Sequence, residues 1–178
     1  MDVAENGVAA DAGLIEVIID EDRNYNRLSI LIRDNGQGMT QEAAEKALDP
    51  FITSRTTRRV GLGLSLLKAA AERCEGDFNI ASQPGKGTTV SVWFRYDHID
   101  RSPLGDMPGT IMTMVMGNPG IDYVYIHRIN GVEFDMDTRE LAEALGPEAL
   151  QDPLVIRHLS NEIREKIKEL ATASKKEE

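Results

Sequence analysis

A chain of 178 residues with 41% hydrophobic content has enough apolar material for a sizeable core. Its formal net charge of −10 repels phosphate backbones and anionic membrane surfaces, so neither nucleic acid nor membrane is an expected partner. A single cysteine, Cys74, forbids an internal disulfide, no basic-then-apolar signal segment opens the chain, and no apolar run approaches the roughly 20 residues of a spanning helix, which points to the cytoplasm.

Residues 2–11 read as a short helix. Residues 14–20 alternate apolar and acidic side chains as a half-buried strand does, and residues 27–33 alternate again after a polar turn, so the two form a predicted hairpin. Thr40 can cap a helix that runs through Leu48 and stops before Pro50. A polar, basic loop leads to a helix over 61–75, with Gly76 as its expected left-handed terminator. Strands over 78–82 and 88–94 flank Pro84-Gly85, a pair that favours a type II turn. Beyond Asp97 the pattern predicts two more strands, 110–116 and 122–129, joined by a turn at 117–120. In that reading Met112, Met114 and Met116 alternate as core filling of the first strand. Helices follow over 138–145, with Asp137 as cap, and over 153–170. The expected organisation is a domain over 1–96, an extension with a strand pair and two helices over 97–171, and a charged tail over 172–178.

Three segments can carry chemistry. Asp34-Asn35-Gly36-Gln37-Gly38-Met39 ends a strand, where glycines let the backbone approach a flat ligand and a carboxylate can accept from a purine amine; Asp-Asn-Gly is equally an ordinary turn. Gly61-Leu62-Gly63-Leu64-Ser65 opens a helix, where unpaired amides and the helix dipole suit phosphate oxygens. Gly85-Lys86-Gly87-Thr88-Thr89 is a hairpin turn whose hydroxyls can bond a base or a water.

In order and spacing these segments resemble the GHKL family of ATP-binding domains, over roughly Asp2 to Phe94. The resemblance implies an α+β class Bergerat fold: a two-layer α/β sandwich with a mixed, mostly antiparallel sheet and helices on one face, to which the residue pattern beyond Asp97 adds a C-terminal β-hairpin and helices. It also implies ATP and Mg²⁺ as cofactors. Asp34 would then hold the adenine amine, with Gly36, Gly38 and Met39 forming the base pocket. Gly61, Leu62, Gly63 and Leu64 would sit over the phosphates, and Thr88 and Thr89 would belong to the last box. Pro50-Phe51-Ile52-Thr53-Ser54-Arg55 is similar to the motif that opens the ATP lid of sensor kinases, which makes Phe51 and Arg55 site residues; Phe51 also reads as a core anchor. One of Arg55, Arg58 and Arg59 would clamp the γ-phosphate.

The family's asparagine box is matched by Asn6, the implied Mg²⁺ ligand. Asp2, four residues earlier on the same helical face, and Glu5 are the implied catalytic acids, although an acid there also simply favours a helix N-terminus. The box begins at Met1, so the expectation is a shortened start or a frayed first helix, adenine binding, and slow or absent ATP turnover. Cys74, His98, His127 and His158 lack metal-ligand spacing and are expected to be structural. The implied function is a Mg²⁺-ATP-dependent kinase or ATPase in signalling, acting on an unidentified partner protein in trans. The alternative is a non-catalytic, nucleotide-gated interaction module in which the extension docks the partner; a homodimer stays open.

Overall fold

A computed structural model describes residues 2–49 and 63–174. Among these the order of elements is α1 (Asp2–Ala9), β1 (Leu14–Asp22), β2 (Arg27–Asp34), α2 (Gln41–Ala47), α3 (Gly63–Arg73), β3 (Asp77–Gln83), β4 (Gly87–Arg95), α4 (Met107–Gly117), β5 (Asp122–Ile129), β6 (Val132–Asp137), α5 (Thr138–Leu145), a 3₁₀ turn at Pro147–Gln151, and α6 (Pro153–Ala173). The six strands make one sheet in the order β3-β4-β2-β1-β5-β6. β1 and β5 run parallel, and the other neighbouring pairs are antiparallel.

Strand register sorts the side chains into two faces. Ile15, Val17 and Ile19 of β1 share a face with Leu28 on β2, Val92 and Phe94 on β4, and Tyr123 and Tyr125 on β5, and all of these are buried. α1 and α3 pack over β1 to β4 on this side, while α4 and α6 pack over β5 and β6. The residues between them on the strands face the other way and stay partly exposed. The result is the expected two-layer α/β arrangement with helices on one face of a mostly antiparallel sheet. No helix among the described residues is long and apolar enough to cross a membrane.

The segment 110–116 is a correction: it is not a strand but most of helix α4. Asp106 caps this helix by accepting from the Gly109 N–H, and Pro108 sits in its first turn, where a missing N–H costs nothing. Ile111, Met112, Met114 and Val115 are all buried, because α4 lies between the sheet and α6 and is covered nearly all round. A short, wholly apolar run has no period to distinguish helix from strand. Topology decides it: β4 and β5 both run parallel to each other on either side of β2 and β1, and a parallel connection needs a crossover, which α4 supplies.

The C-terminal hairpin is therefore β5–β6, with Asn130 and Gly131 both at positive φ (49° and 85°) as a type I′ turn demands. Gly76 needs a second correction. The left-handed residue that ends α3 is Glu75 (φ 55°), and Gly76 donates its N–H to the Ala71 carbonyl in the manner of a Schellman ending. Gly76 is a glycine for another reason: a Cβ there would lie 1.9 Å from the Trp93 carbonyl oxygen. The remaining punctuation holds, with Thr40 capping α2, Asp137 capping α5, and Gly85 at φ 75° in the β3–β4 turn.

Candidate functional site

A cleft of about 180 Å³ opens where α1, the ends of β2 and β4, and the start of α3 meet. Its walls are mostly apolar, from Val3, Ala9, Ala10, Ile32, Leu64 and Val90, and its polar groups come from Asn6, Asp34, Gln37 and Thr88. An apolar chamber with a few convergent polar groups is the usual form of a small-molecule site.

The cleft exists because three glycines let separate chain segments touch. Gly38 (φ 63°) passes so close to the β3–β4 hairpin that a Cβ would lie 2.0 Å from the Gln83 carbonyl oxygen. Gly87 (φ 85°) crosses β2 the same way, with a Cβ falling 2.0 Å from the Asp34 carbonyl oxygen. Gly7 sets α1 directly against the Asp34 and Ile15 side chains. Backbone bonds then lock the loop: Gln37 N–H donates to the Ala10 carbonyl at 2.9 Å, and Gly85 N–H to the Gln37 carbonyl at 2.7 Å.

Asp34 ends β2, partly buried, and one of its oxygens accepts from the Gly36 N–H at 2.9 Å. Among the described residues its other oxygen has no partner, so it can accept from a ligand. Thr88 faces it across the β2–β4 register and lines the cleft. Asn6, on α1, lines the cleft and has no side-chain hydrogen bond among the described residues. Its carbonyl oxygen is the kind of ligand a hard divalent cation takes. No cluster of three His, Cys, Asp or Glu side chains able to hold a metal occurs among the described residues. A Mg²⁺ ion bound here would take Asn6 as its protein ligand and draw the rest from phosphates and water.

The expected residues divide. Asn6, Asp34, Gly38, Met39, Leu64 and Thr88 come together on the cleft. Gly36 does not line it; it is buried against Ala10, where a Cβ would lie 2.6 Å from that carbonyl oxygen. Thr89 lies on the opposite face of the sheet, in register with Arg33 and Ala81, beside Lys86 and Gln41. Asp2 and Glu5 are exposed on α1, and Asp2 abuts the start of α3, since a Cβ on Gly63 would sit 2.7 Å from its Cβ. Phe51, Arg55, Arg58, Arg59, Gly61 and Leu62 lie outside the described residues.

Two residues outside the expected ligand contacts, Asn35 and Ser82, hold the site in place. The Asn35 side chain turns away from the cleft and accepts from the Gly13 and Leu14 N–H groups at 2.8 and 2.9 Å, tying the loop to the start of β1. Ser82 ties Met39, Gly87 and Thr88 together. Asn35 sits in the Asp-Asn-Gly motif and Ser82 in the strand over 78–82, but the partners of their side chains come from distant segments that only the folded chain brings together.

A family model described as histidine kinase-, DNA gyrase B-, and HSP90-like ATPase matches residues 2–98. Among curated proteins, a probable C4-dicarboxylate sensor kinase of Halalkalibacterium halodurans is 35% identical over 79 residues, 44% of this chain and 14% of its own length. The tetrathionate sensor histidine kinase of Salmonella typhimurium is 31% identical over 106 residues, 57% of this chain and 17% of its own. A sensor histidine kinase of Bacillus subtilis is 31% identical over 101 residues, 52% of this chain and 30% of its own. The chain thus spans less than a third of the length of these relatives.

Proposed function

This chain belongs to the histidine kinase-, DNA gyrase B- and HSP90-like ATPase family, as an ATP-binding domain of the kinase-like kind, and we propose that it uses Mg²⁺-ATP in cytoplasmic signalling by passing a phosphoryl group to a partner protein or to water. One observation carries the reading. Asn6, Asp34 and Thr88, from three elements far apart in the chain, meet in one apolar-walled cleft with hydrogen-bonding capacity left over.

In this reading the adenine enters between Ile32, Val90 and Met39, and its amine donates to Asp34. The triphosphate extends toward the first turn of α3, whose leading amides and dipole favour anionic oxygens. Mg²⁺, held by Asn6, would neutralise charge on the phosphates. Asp2, at the mouth beside Gly63, would act on an incoming hydroxyl or imidazole, and Glu5 would act with it.

Calorimetric titration with ATP and GTP, with and without Mg²⁺, tests the binding step. ATP should bind more tightly with Mg²⁺, and GTP poorly, because its six-position carbonyl presents an acceptor to Asp34. Equal affinity for the two nucleotides sinks the adenine assignment, and no binding of either sinks the reading as a whole.

The nucleotide-gated module is favoured by a different observation: β5 runs beside β1 along its length, with α4 and α6 packed over it. Order imposed at the cleft end of β1 can pass to that segment. γ-Labelled ATP separates the two readings, since the module releases no phosphate and labels no protein.

A further inference from the structure

We propose that Ser82 is a positioning residue that fixes the direction of the Thr88 hydroxyl, so that the cleft reads the six-position amine of a purine twice; this deepens the adenine-binding reading above and rests on it. Ser82 lies near the end of β3, opposite Thr88 in the β3–β4 register and on the helix-covered face of the sheet. It is not among the residues that line the cleft. Whatever it contributes to recognition passes through a neighbour.

Its hydroxyl makes three contacts. Oγ accepts from the Met39 N–H at 2.8 Å, donates to the Gly87 carbonyl oxygen at 3.1 Å, and lies 2.9 Å from Thr88 Oγ1. A serine hydroxyl has one proton and two lone pairs. An amide N–H can only donate and a carbonyl can only accept, so the Ser82 proton goes to Gly87 and one lone pair takes Met39. The third contact is then satisfied only if Thr88 donates to the second lone pair. With its proton committed to Ser82, the Thr88 hydroxyl turns lone pairs alone into the cleft.

The consequence lies across the strand. Thr88 pairs with Asp34 in the β2–β4 register, and directly opposed residues hold their Cβ atoms about 4.5–5.5 Å apart. An exocyclic amine between them has two N–H groups, one for the free oxygen of Asp34 and one for Thr88. A six-oxo purine brings no donor there and meets two acceptors. Specificity of this kind is strong because a mismatched ligand leaves polar groups of the site unpaired.

Losing the Ser82 hydroxyl releases the Thr88 proton, and Thr88 can then donate to a six-oxo oxygen. The experiment measures affinities of the full chain for ATP and for ITP, its six-oxo counterpart, in the parent, Ser82→Ala, Ser82→Thr, Thr88→Val and the Ser82→Ala/Thr88→Val pair. Ser82→Ala should cut the preference for ATP over ITP by about three- to ten-fold, the worth of one hydrogen bond. Ser82→Thr should keep it. In the Thr88→Val background Ser82→Ala should leave the ratio unchanged, because a residue acting through Thr88 has nothing left to act on.

The ratio is the readout because Ser82 also anchors Met39, so absolute affinities drop for structural reasons as well. Should Ser82→Ala fail to fold, Ser82→Cys keeps the shape with a poor donor and acceptor, and is expected to lower the ratio in the same direction. A parent that prefers ATP while every foldable Ser82 variant keeps the same ratio overturns the inference alone. A Ser82 effect undiminished in Thr88→Val overturns it too. A parent that binds ATP and ITP equally overturns the adenine reading and the inference with it.

Discussion

At the Ile15 end of β1 the sheet meets a cleft whose polar side chains keep hydrogen bonds in reserve; at the Glu21 end of the same strand a buried carboxylate and a buried imidazole spend theirs on protein partners. Glu21 is buried, and its carboxylate receives His127 Nε2 at 2.9 Å, the Tyr96 hydroxyl at 3.0 Å and Arg23 at 3.1 Å. On the other side of the imidazole, Tyr125 bonds Nδ1 at 2.8 Å. Burial, reinforced by the charges of Glu21 and Asp106, pushes the Tyr125 phenol up, so the hydroxyl stays protonated beside the imidazole. Both ring nitrogens of His127 therefore have a partner, Glu21 at Nε2 and Tyr125 at Nδ1. Tyr125 and His127 belong to β5, Glu21 and Tyr96 to the preceding segment, so the network ties the two segments together. Reserve at one end marks a place for a ligand; a buried carboxylate with three partners at the other marks a structural joint.

The largest expected effect breaks the cleft end. Gly38→Ala places a methyl against the Gln83 carbonyl at a backbone angle that suits glycine, and urea unfolding should show a loss above roughly 3 kcal/mol. A variant within about 1 kcal/mol of the parent would mean that the two loops do not cross so closely.

The far end is broken next. His127→Leu removes the main partner of a buried carboxylate, which typically costs about 3 kcal/mol, while ATP affinity at the distant cleft should stay within about twofold. The network also has a pH signature. Burial alone would raise the Glu21 carboxyl, but hydrogen bonds from His127, Arg23 and Tyr96 outweigh it and lower it from its ordinary 4.5 to about 2. A depressed carboxylate stabilises the fold above its unfolded value, and that stability drains away as pH falls from 4.5 toward 2. Glu21→Gln should flatten this acid limb in denaturation measured against pH. A limb of unchanged depth would place the acid sensitivity elsewhere.

Asp34→Asn sharpens the contrast from the ligand side. Losing the charged acceptor should weaken ATP roughly ten- to a hundred-fold, with little change in unfolding midpoint, since one carboxylate oxygen is unused in the free protein. The outcome that contradicts the comparison is a marked loss of stability with ATP affinity intact. Thr40→Ala is the smallest effect. It deletes the cap that accepts from Ala43 N–H at 3.2 Å and should cost about 1 kcal/mol, read as a shift of the urea midpoint alone.

Much of this was legible in the linear chain because it is written in local chemistry. The alternation over β1 and β2, the Thr40 and Asp137 caps, and the Pro84-Gly85 turn each answer to a few neighbouring residues. So does the placing of Asp34 and Gly38 at a strand end. A resemblance resting on ordered glycine motifs points to the correct family, and six of the residues it names, Asn6, Asp34, Gly38, Met39, Leu64 and Thr88, line one cleft.

Only the tertiary structure decided the rest. Thr88 and Thr89 are equivalent in the sequence, and it is the pairing of β4 with β2 that turns Thr88 toward the helices and Thr89 away. The apolar run in α4 became a helix because β5 docks parallel beside β1 and requires a crossover. Gly76 and Gly87 are glycines for carbonyl groups that approach from strands far along the chain. Ser82 gained its role from three partners that meet only when the loops close. Local propensity sees a few residues at a time, whereas strand partners, faces and close approaches depend on which distant segments bury their apolar surface together.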